Sequence, residues 1–130
     1  MLEGKKIVVV MPAYNAEKTL EATYSEIPKA IVDEVLVVDD RSADRTVEVC
    51  QRLGIDCYVH EKNKGYGGNQ KTCLDTALAH GADYIVMIHP DCQYDPRLVP
   101  YVVGFLREGI CDVVLGNRIR TRRQALSSGM

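Results

Sequence analysis

The sequence predicts an α/β fold with a doubly wound, mainly parallel sheet and helices on both faces. Short apolar runs alternate with segments of helical periodicity, and the connections between them are short. The clearest run, Tyr84 to Ile88, is apolar throughout, which is typical of a strand covered on both faces. Repeated strand and helix units of this kind form parallel sheets with right-handed crossovers.

The length and charge of the chain limit the classes of protein to which it could belong. The 130 residues suit one domain with one core, and they carry a formal net charge of −2. That charge favours no nucleic-acid partner, and no run approaches the ~18 apolar residues of a membrane span. The five cysteines are odd in number and lack CxxC spacing, which argues against a disulfide framework or a zinc site. We expect a cytoplasmic protein.

The first half of the chain predicts two strands, each followed by a helix. Asn15 and Ser42 are the candidate N-caps of the two helices, and Gly54 is the expected stop of the second. In chain order these elements span Lys6 to Met11, Ala16 to Ile27, Glu34 to Val38, and Ala43 to Leu53.

The second half predicts three strands and two helices. The third strand is more polar than the others, so we expect it at an edge of the sheet. Asp95 and Pro96 have the residue types of an N-cap and first helical position, respectively. In chain order these elements span Asp56 to His60, Gly68 to His80, Tyr84 to Ile88, Pro96 to Glu108, and Asp112 to Leu115.

The first candidate site follows the first strand, where the glycines of a dinucleotide-binding turn are missing. Tyr14 offers a flat ring for stacking on a base or ribose, and Glu17 offers a carboxylate that accepts hydrogen bonds. The alternative is structural: Pro12 shapes a turn, Tyr14 packs, and Glu17 favours the helix N-terminus.

The second candidate site is the pair Asp39 and Asp40, directly after the second strand. One carboxylate would turn into the cleft at the carboxyl edge of the sheet and accept from a base N–H or a ribose hydroxyl. The other would brace the backbone of the turn. A capped strand-to-helix turn explains Ser42 and Asp44, but it does not explain two aspartates in series.

The third candidate site is the glycine-rich segment from Asn63 to Lys71, at the start of the third helix. Backbone amides and the positive helix end would hold an anion there, with Lys64 or Lys71 adding charge. A loop that needs glycine for its backbone conformation explains the pattern equally well.

The fourth candidate site follows the fourth strand. His89, Asp91 and Gln93 alternate, so in an extended stretch their side chains project to one side. Carboxylate and amide oxygens suit Mg²⁺ or Mn²⁺, and the imidazole favours Mn²⁺. Taken singly, His89 is more typical of a packed or solvated side chain, and Asp91 is the stronger metal candidate.

Taken together, these motifs resemble glycosyltransferase family 2, and in particular its polyprenyl-phosphate or dolichyl-phosphate branch. The resemblance covers nearly the whole chain. The residues that carry it are Pro12 to Asn15, Val38 to Asp40 with Ser42, Asp44 and Thr46, Asn63 and Gly65, His89 to Asp91 with Gln93, and Gly116 to Arg118.

The resemblance implies the glycosyltransferase A fold, a donor such as a UDP- or GDP-sugar, and divalent metal assistance. The nucleotide-binding residues implied are Pro12, Tyr14, Glu17, Asp39, Asp40, Asp91 and Arg118. The resemblance implies Asp91 and Gln93 as ligands of the metal and the donor diphosphate, and His89 is a third metal candidate from its spacing alone. The implied acceptor is a polyprenyl phosphate, which needs no general base because it is already anionic, and which would bring the protein to a membrane surface.

Two departures from the family pattern have consequences. His89 stands where the first Asp of the Asp-x-Asp motif usually lies, which removes one negative charge and alters metal preference. Glu17 lies one residue later than the Glu of relatives that have Pro-x-Tyr-Asn-Glu.

Residues 1–117 would form the donor-binding domain, and residues 118–130 a basic, disordered tail. Family members continue well past this length, so an uncovered apolar surface would favour self-association. Two alternatives stay open: a catalytically silent nucleotide-binding domain that needs a partner or a further segment, and a phosphoacceptor receiver domain, which the position of the aspartate pair disfavours.

Overall fold

Four parallel strands form one sheet in the order β3-β2-β1-β4. The computed structural model describes residues 4–91 and 95–109. The strands are β1, Ile7–Ala13; β2, Glu34–Asp39; β3, Asp56–Val59; and β4, Tyr84–Met87. Each strand thus lies close to its predicted position, and β3 is at an edge as predicted.

The helices follow the strands along the chain. They are α1, Leu20–Glu26; α2, Thr46–Leu53; α3, Gly65–Ala79; and α4, Val99–Arg107, which a short 3₁₀ turn over Pro96–Leu98 precedes. Gly54 ends α2 in the left-handed conformation, and the Asp95 side chain accepts from the Arg97 N–H, both as predicted. No described helix in residues 4–91 and 95–109 is long and apolar enough to cross a membrane.

The core lies on both faces of the sheet because β1 is central and every one of its side chains is buried. Alternate β1 residues Ile7, Val9 and Met11 pack on the face that carries Leu20 of α1, Cys50 of α2 and Val103 of α4. Val8 and Val10 pack on the other face, against Cys73 and Ala77 of α3. The prediction of a doubly wound parallel sheet is therefore confirmed.

Three strands end at one edge, where a ligand site of this architecture is expected. In the β1 and β2 register Ala13 is paired with Asp39, and in the β1 and β4 register Val10 is paired with Met87. Ile88 continues alongside β1, because its N–H donates to the Val10 carbonyl at 2.9 Å. The segments after β1, β2 and β4 therefore begin at the same edge, which we call the carboxyl edge.

Candidate functional site

The turn after β1 exposes the ring of Tyr14 at the carboxyl edge, where it is 55% accessible. Asn15 follows with a φ of 52°, a left-handed conformation that asparagine tolerates. The prediction that Asn15 caps α1 is wrong, because its side-chain Oδ1 accepts a hydrogen bond from Ala43 N at 2.9 Å instead. Asn15 N in turn donates to Ser42 Oγ at 2.9 Å. The turn after β1 is thus held by the loop after β2.

Further contacts extend this interlock. Ala16 N donates to Thr46 Oγ1 at 2.8 Å, and Glu17 N donates to Asp44 Oδ2 at 3.2 Å. Burial acts to raise the pKa of Asp44, but hydrogen bonds from the hydroxyl and N–H of Thr46 and from the Glu17 N–H outweigh it and lower that pKa. Ser42 and Asp44 therefore join two loops. The predicted cap of α2 by Ser42 is wrong, because α2 begins later, after Arg45.

Asp39 braces the turn that follows β2. Its side chain is 1% exposed, and it accepts from Ser42 N at 2.9 Å and from the Ser42 hydroxyl. An aspartate that accepts from the backbone three residues later stabilises a turn locally. The turn also places Arg41 at a φ of 65°. Asp39 thus has the bracing geometry that was predicted for one member of the pair.

Asp40 is the carboxylate on which the surrounding elements converge. It is 3% exposed, and its Oδ1 lies 2.8 Å from His60 Nδ1 and accepts the Lys64 N–H at 2.7 Å. Burial acts to raise its pKa, but hydrogen bonds from Lys64 N–H, His60 and Gly65 N–H, with the charge of His60, hold that pKa below its ordinary value. Asp40 N donates to the Ala13 carbonyl at 2.9 Å, so the chain places Asp40 next to the start of the Tyr14 turn.

The glycine-rich segment holds an anion, and that anion is a side chain of the protein itself. At the start of α3 the Lys64 N–H donates to Asp40 Oδ1 at 2.7 Å, whereas the Gly65 N–H donates to Asn63 Oδ1 at 3.0 Å. Gly65 has a φ of 78°, and a Cβ on Gly68 would lie 2.7 Å from Lys64 Cβ. The start of α3 thus directs the Lys64 amide at the Asp40 carboxylate, as a helix N-terminus directs its amides at a bound phosphate elsewhere.

Two buried residues of this edge were not predicted from the sequence. His60 lies between Asp40 and Thr72, with Nε2 at 2.9 Å from Thr72 Oγ1. Asn69 is 3% exposed and donates to the carbonyls of Val38 at 3.0 Å and Ala13 at 3.4 Å. Each is a polar residue within an ordinary strand or helix pattern, so its role depends on partners that are distant in sequence.

His89 and Asp91 lie beyond the end of β4. The ring of His89 stacks on that of Tyr66, with centroids 5.3 Å apart, and its Nε2 lies 3.0 Å from the Tyr66 hydroxyl. Asp91 is exposed. The Thr19 hydroxyl donates to the Pro90 carbonyl, which attaches the segment to the start of α1. His89 Nε2 would have to leave Tyr66 before it could bind a cation.

The described side chains could bind a divalent metal only if a phosphate-bearing ligand supplied further oxygen atoms. Within residues 4–91 and 95–109, no group of three or more His, Cys, Asp or Glu side chains is arranged to hold a metal ion. Mg²⁺ is commonly bound through one or two carboxylates plus substrate phosphates. The exposed Asp91 carboxylate matches that role. Gln93, Arg118 and the predicted strand from Asp112 to Leu115 lie outside the described residues.

The carboxyl edge brings together Tyr14 after β1, Asp40 after β2 and Asp91 after β4. Because β2 and β4 flank β1, their ends are about 10 Å apart. A ring and a buried carboxylate thus lie toward one end of the edge, and an exposed carboxylate toward the other. An open parallel sheet with polar groups at this edge is typical of a nucleotide-binding α/β protein.

Comparison with known proteins defines the family. The model of glycosyl transferase family 2 matches residues 8–127, so this chain belongs to glycosyltransferase family 2. The alternative of a receiver domain is therefore wrong.

Two curated relatives have names that describe transfer of a sugar to dolichyl phosphate. The UDP-N-acetylglucosamine–dolichyl-phosphate N-acetylglucosaminyltransferase of Methanococcus voltae is 28% identical over 140 residues, which cover 95% of this chain and 56% of the relative. The dolichol-phosphate mannosyltransferase of Pyrococcus furiosus is 30% identical over 125 residues, which cover 87% of this chain and 33% of the relative. The chain thus spans about half, or less, of their length.

A solved structure supports the fold. Glucosyl-3-phosphoglycerate synthase from Mycobacterium tuberculosis, in complex with Mn²⁺, uridine diphosphate and glucosyl-3-phosphoglycerate, superposes with a TM-score of 0.68 at 30% identity. The match covers 79% of this chain and 40% of that protein. The predicted glycosyltransferase A fold is confirmed, in a chain shorter than the proteins it matches.

Proposed function

We propose that this chain is the donor-binding part of a glycosyltransferase that transfers a sugar from a nucleoside-diphospho-sugar. The observation that carries the proposal is the common location of Tyr14, Asp40 and Asp91 at the carboxyl edge. Their arrangement suits a ligand with an aromatic base at one end and a diphosphate at the other. Membership of family 2 supports the same reaction class.

The nucleoside binds at the Tyr14 and Asp40 end. The exposed Tyr14 ring stacks on the base or ribose, and the ionised Asp40 accepts a hydrogen bond from it. Pro12 and Glu17 border this end through the β1 turn. Asp39 contributes through the turn that it braces, since its contacts to Ser42 already occupy both of its oxygens.

The diphosphate binds at the Asp91 end. Asp91 and Gln93 would hold Mg²⁺ or Mn²⁺ together with the diphosphate, and Arg118 would contact a phosphate. When bound, such a cation neutralises charge on the leaving nucleoside diphosphate. The Mn²⁺ and uridine diphosphate found together in the mycobacterial synthase support this assignment.

The acceptor is a polyprenyl phosphate, which the names of the two archaeal relatives support. A phosphate oxygen is already anionic, so it attacks the anomeric carbon without a general base. An acceptor of this kind is membrane-bound, and the protein would work at a membrane surface on the cytoplasmic side.

A second candidate function is a nucleotide-binding domain without transferase activity of its own. The contact between His89 and Tyr66 favours it, because an imidazole that is already hydrogen bonded replaces a metal-binding carboxylate. The shortness of the chain relative to its family members favours it as well.

Titration with UDP, GDP and CDP, with and without Mn²⁺, tests both candidates. We expect one of the three to bind, and Mn²⁺ to strengthen its binding. Sugar transfer, or hydrolysis of the matching nucleotide sugar, then separates the transferase from the silent domain. If none of the three diphosphates binds under either condition, the proposed donor site is wrong.

Two variants test the roles of the two ends. Asp40→Ala should weaken binding of the preferred diphosphate with or without metal, by about tenfold or more, because a hydrogen bond to a charged group is lost. Asp91→Ala should leave metal-free binding near the wild-type value and remove the enhancement by Mn²⁺. Equal, metal-independent losses in both variants would contradict this division of roles.

A further inference from the structure

The buried position of Asp40 raises a question that the donor site alone does not answer. The Asp40 side chain is only 5% exposed, so its carboxylate must be held ionised and in one orientation if it is to contact a ligand at the surface. Backbone amides at the start of α3 supply part of that support. The remaining side-chain support comes from His60, which is itself 7% exposed.

We propose that His60 is a positioning residue for the nucleoside: its Nδ1–H holds Asp40 so that the second carboxylate oxygen, Oδ2, accepts from the bound base or ribose. The inference rests on the proposed function. His60 acts through Asp40 and does not itself contact the ligand.

The hydrogen bonds around the ring place the proton on Nδ1. Asp40 is ionised and has no proton to donate, so a contact of 2.8 Å requires that Nδ1 donate. Thr72 Oγ1, on the other side, lies 2.9 Å from Nε2 and 3.1 Å from the Gly68 carbonyl. Thr72 either accepts from a charged ring or donates to a neutral one. In both arrangements the proton that faces Asp40 is present.

The ring has little freedom to leave this position. His60 N donates to the Asp39 carbonyl at 2.9 Å, which fixes the backbone at the end of β3 against β2. Thr72 lies on α3, so the imidazole is clamped between the sheet and the helix. The start of the same helix supplies the Lys64 N–H, which donates to Asp40 Oδ1 at 2.7 Å.

The geometry divides the two oxygens of Asp40. The contacts from His60 Nδ1 and Lys64 N both end on Oδ1. Asn63 secures the Asp40 carbonyl with a hydrogen bond of 3.0 Å, so the backbone is held as well. With Oδ1 occupied on the protein side, Oδ2 is the oxygen that a hydrogen-bond donor on the nucleoside would meet.

Metal-free calorimetric titration of the whole chain tests the inference, with the preferred diphosphate among UDP, GDP and CDP as the probe. Chelator in the buffer removes any contribution from a cation near Asp91. The variants are His60→Leu, which has no donor; His60→Asn, whose amide nitrogen takes the place of Nδ1; and His60→Gln, whose amide reaches the place of Nε2.

We expect the dissociation constant to rise about tenfold or more in His60→Leu and His60→Gln, and to stay within about threefold of wild type in His60→Asn. Asn and Gln carry the same amide, so their difference reports where the donor lies and not general polarity. If His60→Leu does not fold, the Asn and Gln pair decides the question alone. Wild-type binding in His60→Gln, or equal losses in Asn and Gln, would overturn the inference.

His80→Leu is the matched control. His80 also bonds a carboxylate through Nδ1, that of Glu34 at 2.8 Å, and a hydroxyl through Nε2, that of Tyr58 at 2.9 Å. It lies at the opposite edge of the sheet, so its loss should leave nucleotide binding within about twofold. A loss as large as that of His60→Leu would show a general effect of stability and overturn the inference. If wild type binds none of the diphosphates, the proposed function itself fails, which is a different result.

Discussion

Strand β2 has a carboxylate, an imidazole and a hydroxyl grouped at each of its two ends, and the two groups differ in burial. At the amino end, Glu34 is hydrogen bonded to His80, whose ring contacts Tyr58, and the side chains of Glu34 and His80 are 29% and 27% exposed. At the carboxyl end, Asp40 bonds His60, whose ring meets Thr72, and the side chains are 5% and 6% exposed. The same chemical set is therefore solvated at one end and enclosed at the other.

The two ends also differ in what balances the carboxylate. Glu34 is met by the ammonium of Lys6 at 2.5 Å as well as by His80, and the Lys6 hydrogen bond is the main reason that its pKa is lowered. Asp40 is met by backbone amides at the start of α3 and by His60. A backbone amide binds one oxygen of a carboxylate and, unlike a lysine ammonium, adds no cation that would compete with a ligand for the other oxygen. Asp40 thus differs from Glu34 in its burial and in its backbone donor, while Glu34 is part of a half-exposed group of ion pairs at the surface.

Removing each carboxylate in turn is the most direct test of whether the two ends of β2 differ in their contribution to stability. Asp40→Ala should lower the free energy of unfolding by about 3 kcal/mol, because it leaves the buried His60 without its carboxylate partner and the Lys64 N–H without its acceptor. Glu34→Ala should cost about 1 kcal/mol or less, since partly exposed ion pairs contribute little. Urea denaturation of both variants measures the difference. Similar losses at the two ends would show that burial does not distinguish them.

The loss of stability in acid also distinguishes Asp40 from Glu34. The pKa of Asp40 is lowered from 3.8 and that of Glu34 from 4.5. A carboxyl with a lowered pKa in the folded state contributes stability above its unfolded pKa and loses it as the pH falls through the folded value. Asp40→Asn should therefore flatten the fall in stability below about pH 4.

The matched variant for the acid experiment is Glu34→Gln. It should flatten the same fall to a smaller extent, because solvent screens the partly exposed pair. Thermal unfolding followed by circular dichroism between about pH 2.5 and pH 6 compares the three proteins. A steeper acid dependence in Asp40→Asn than in wild type would contradict the lowered pKa.

The smallest expected effect concerns the turn that delivers Asp40 to the edge. Arg41 has a φ of 65°, which costs a residue with a side chain about 1 kcal/mol and costs a β-branched residue more. Arg41→Val should destabilise the protein by about 1 kcal/mol or more, whereas Arg41→Gly should not destabilise it, because glycine adopts this conformation freely. Differential scanning calorimetry of the pair measures this strain, and equal stabilities would argue against it.

Much of the fold could be predicted from the sequence, because it depends on local patterns. Apolar runs such as Tyr84 to Ile88 predict strands, and the alternation with helices predicts a parallel sheet. Helix boundaries were less accurate where caps were assigned from residue type. Asn15 and Ser42 are good capping residues in isolation, yet both are used between the two loops.

The candidate site was predicted in part. The positions of Tyr14, Asp40 and Asp91 after three strands predicted a common edge, because parallel strands end on the same side of a sheet. The roles of these residues in binding stay predictions. The same holds for His89 and Glu17, and for Gln93 and Arg118, which lie beyond the described residues.

The sequence by itself determined the alternation of strands and helices, the family, and the location of polar residues at the carboxyl edge. Each of these depends on sequence patterns that are only a few residues long. Only the tertiary structure decided that Asp39 braces a turn while Asp40 accepts from the start of α3, and that His60 and Asn69 are buried at the carboxyl edge. Adjacent aspartates have the same local pattern and the same intrinsic chemistry. Their difference comes from partners about 20 residues away, such as His60 and Lys64, which folding brings within hydrogen-bond distance of one oxygen.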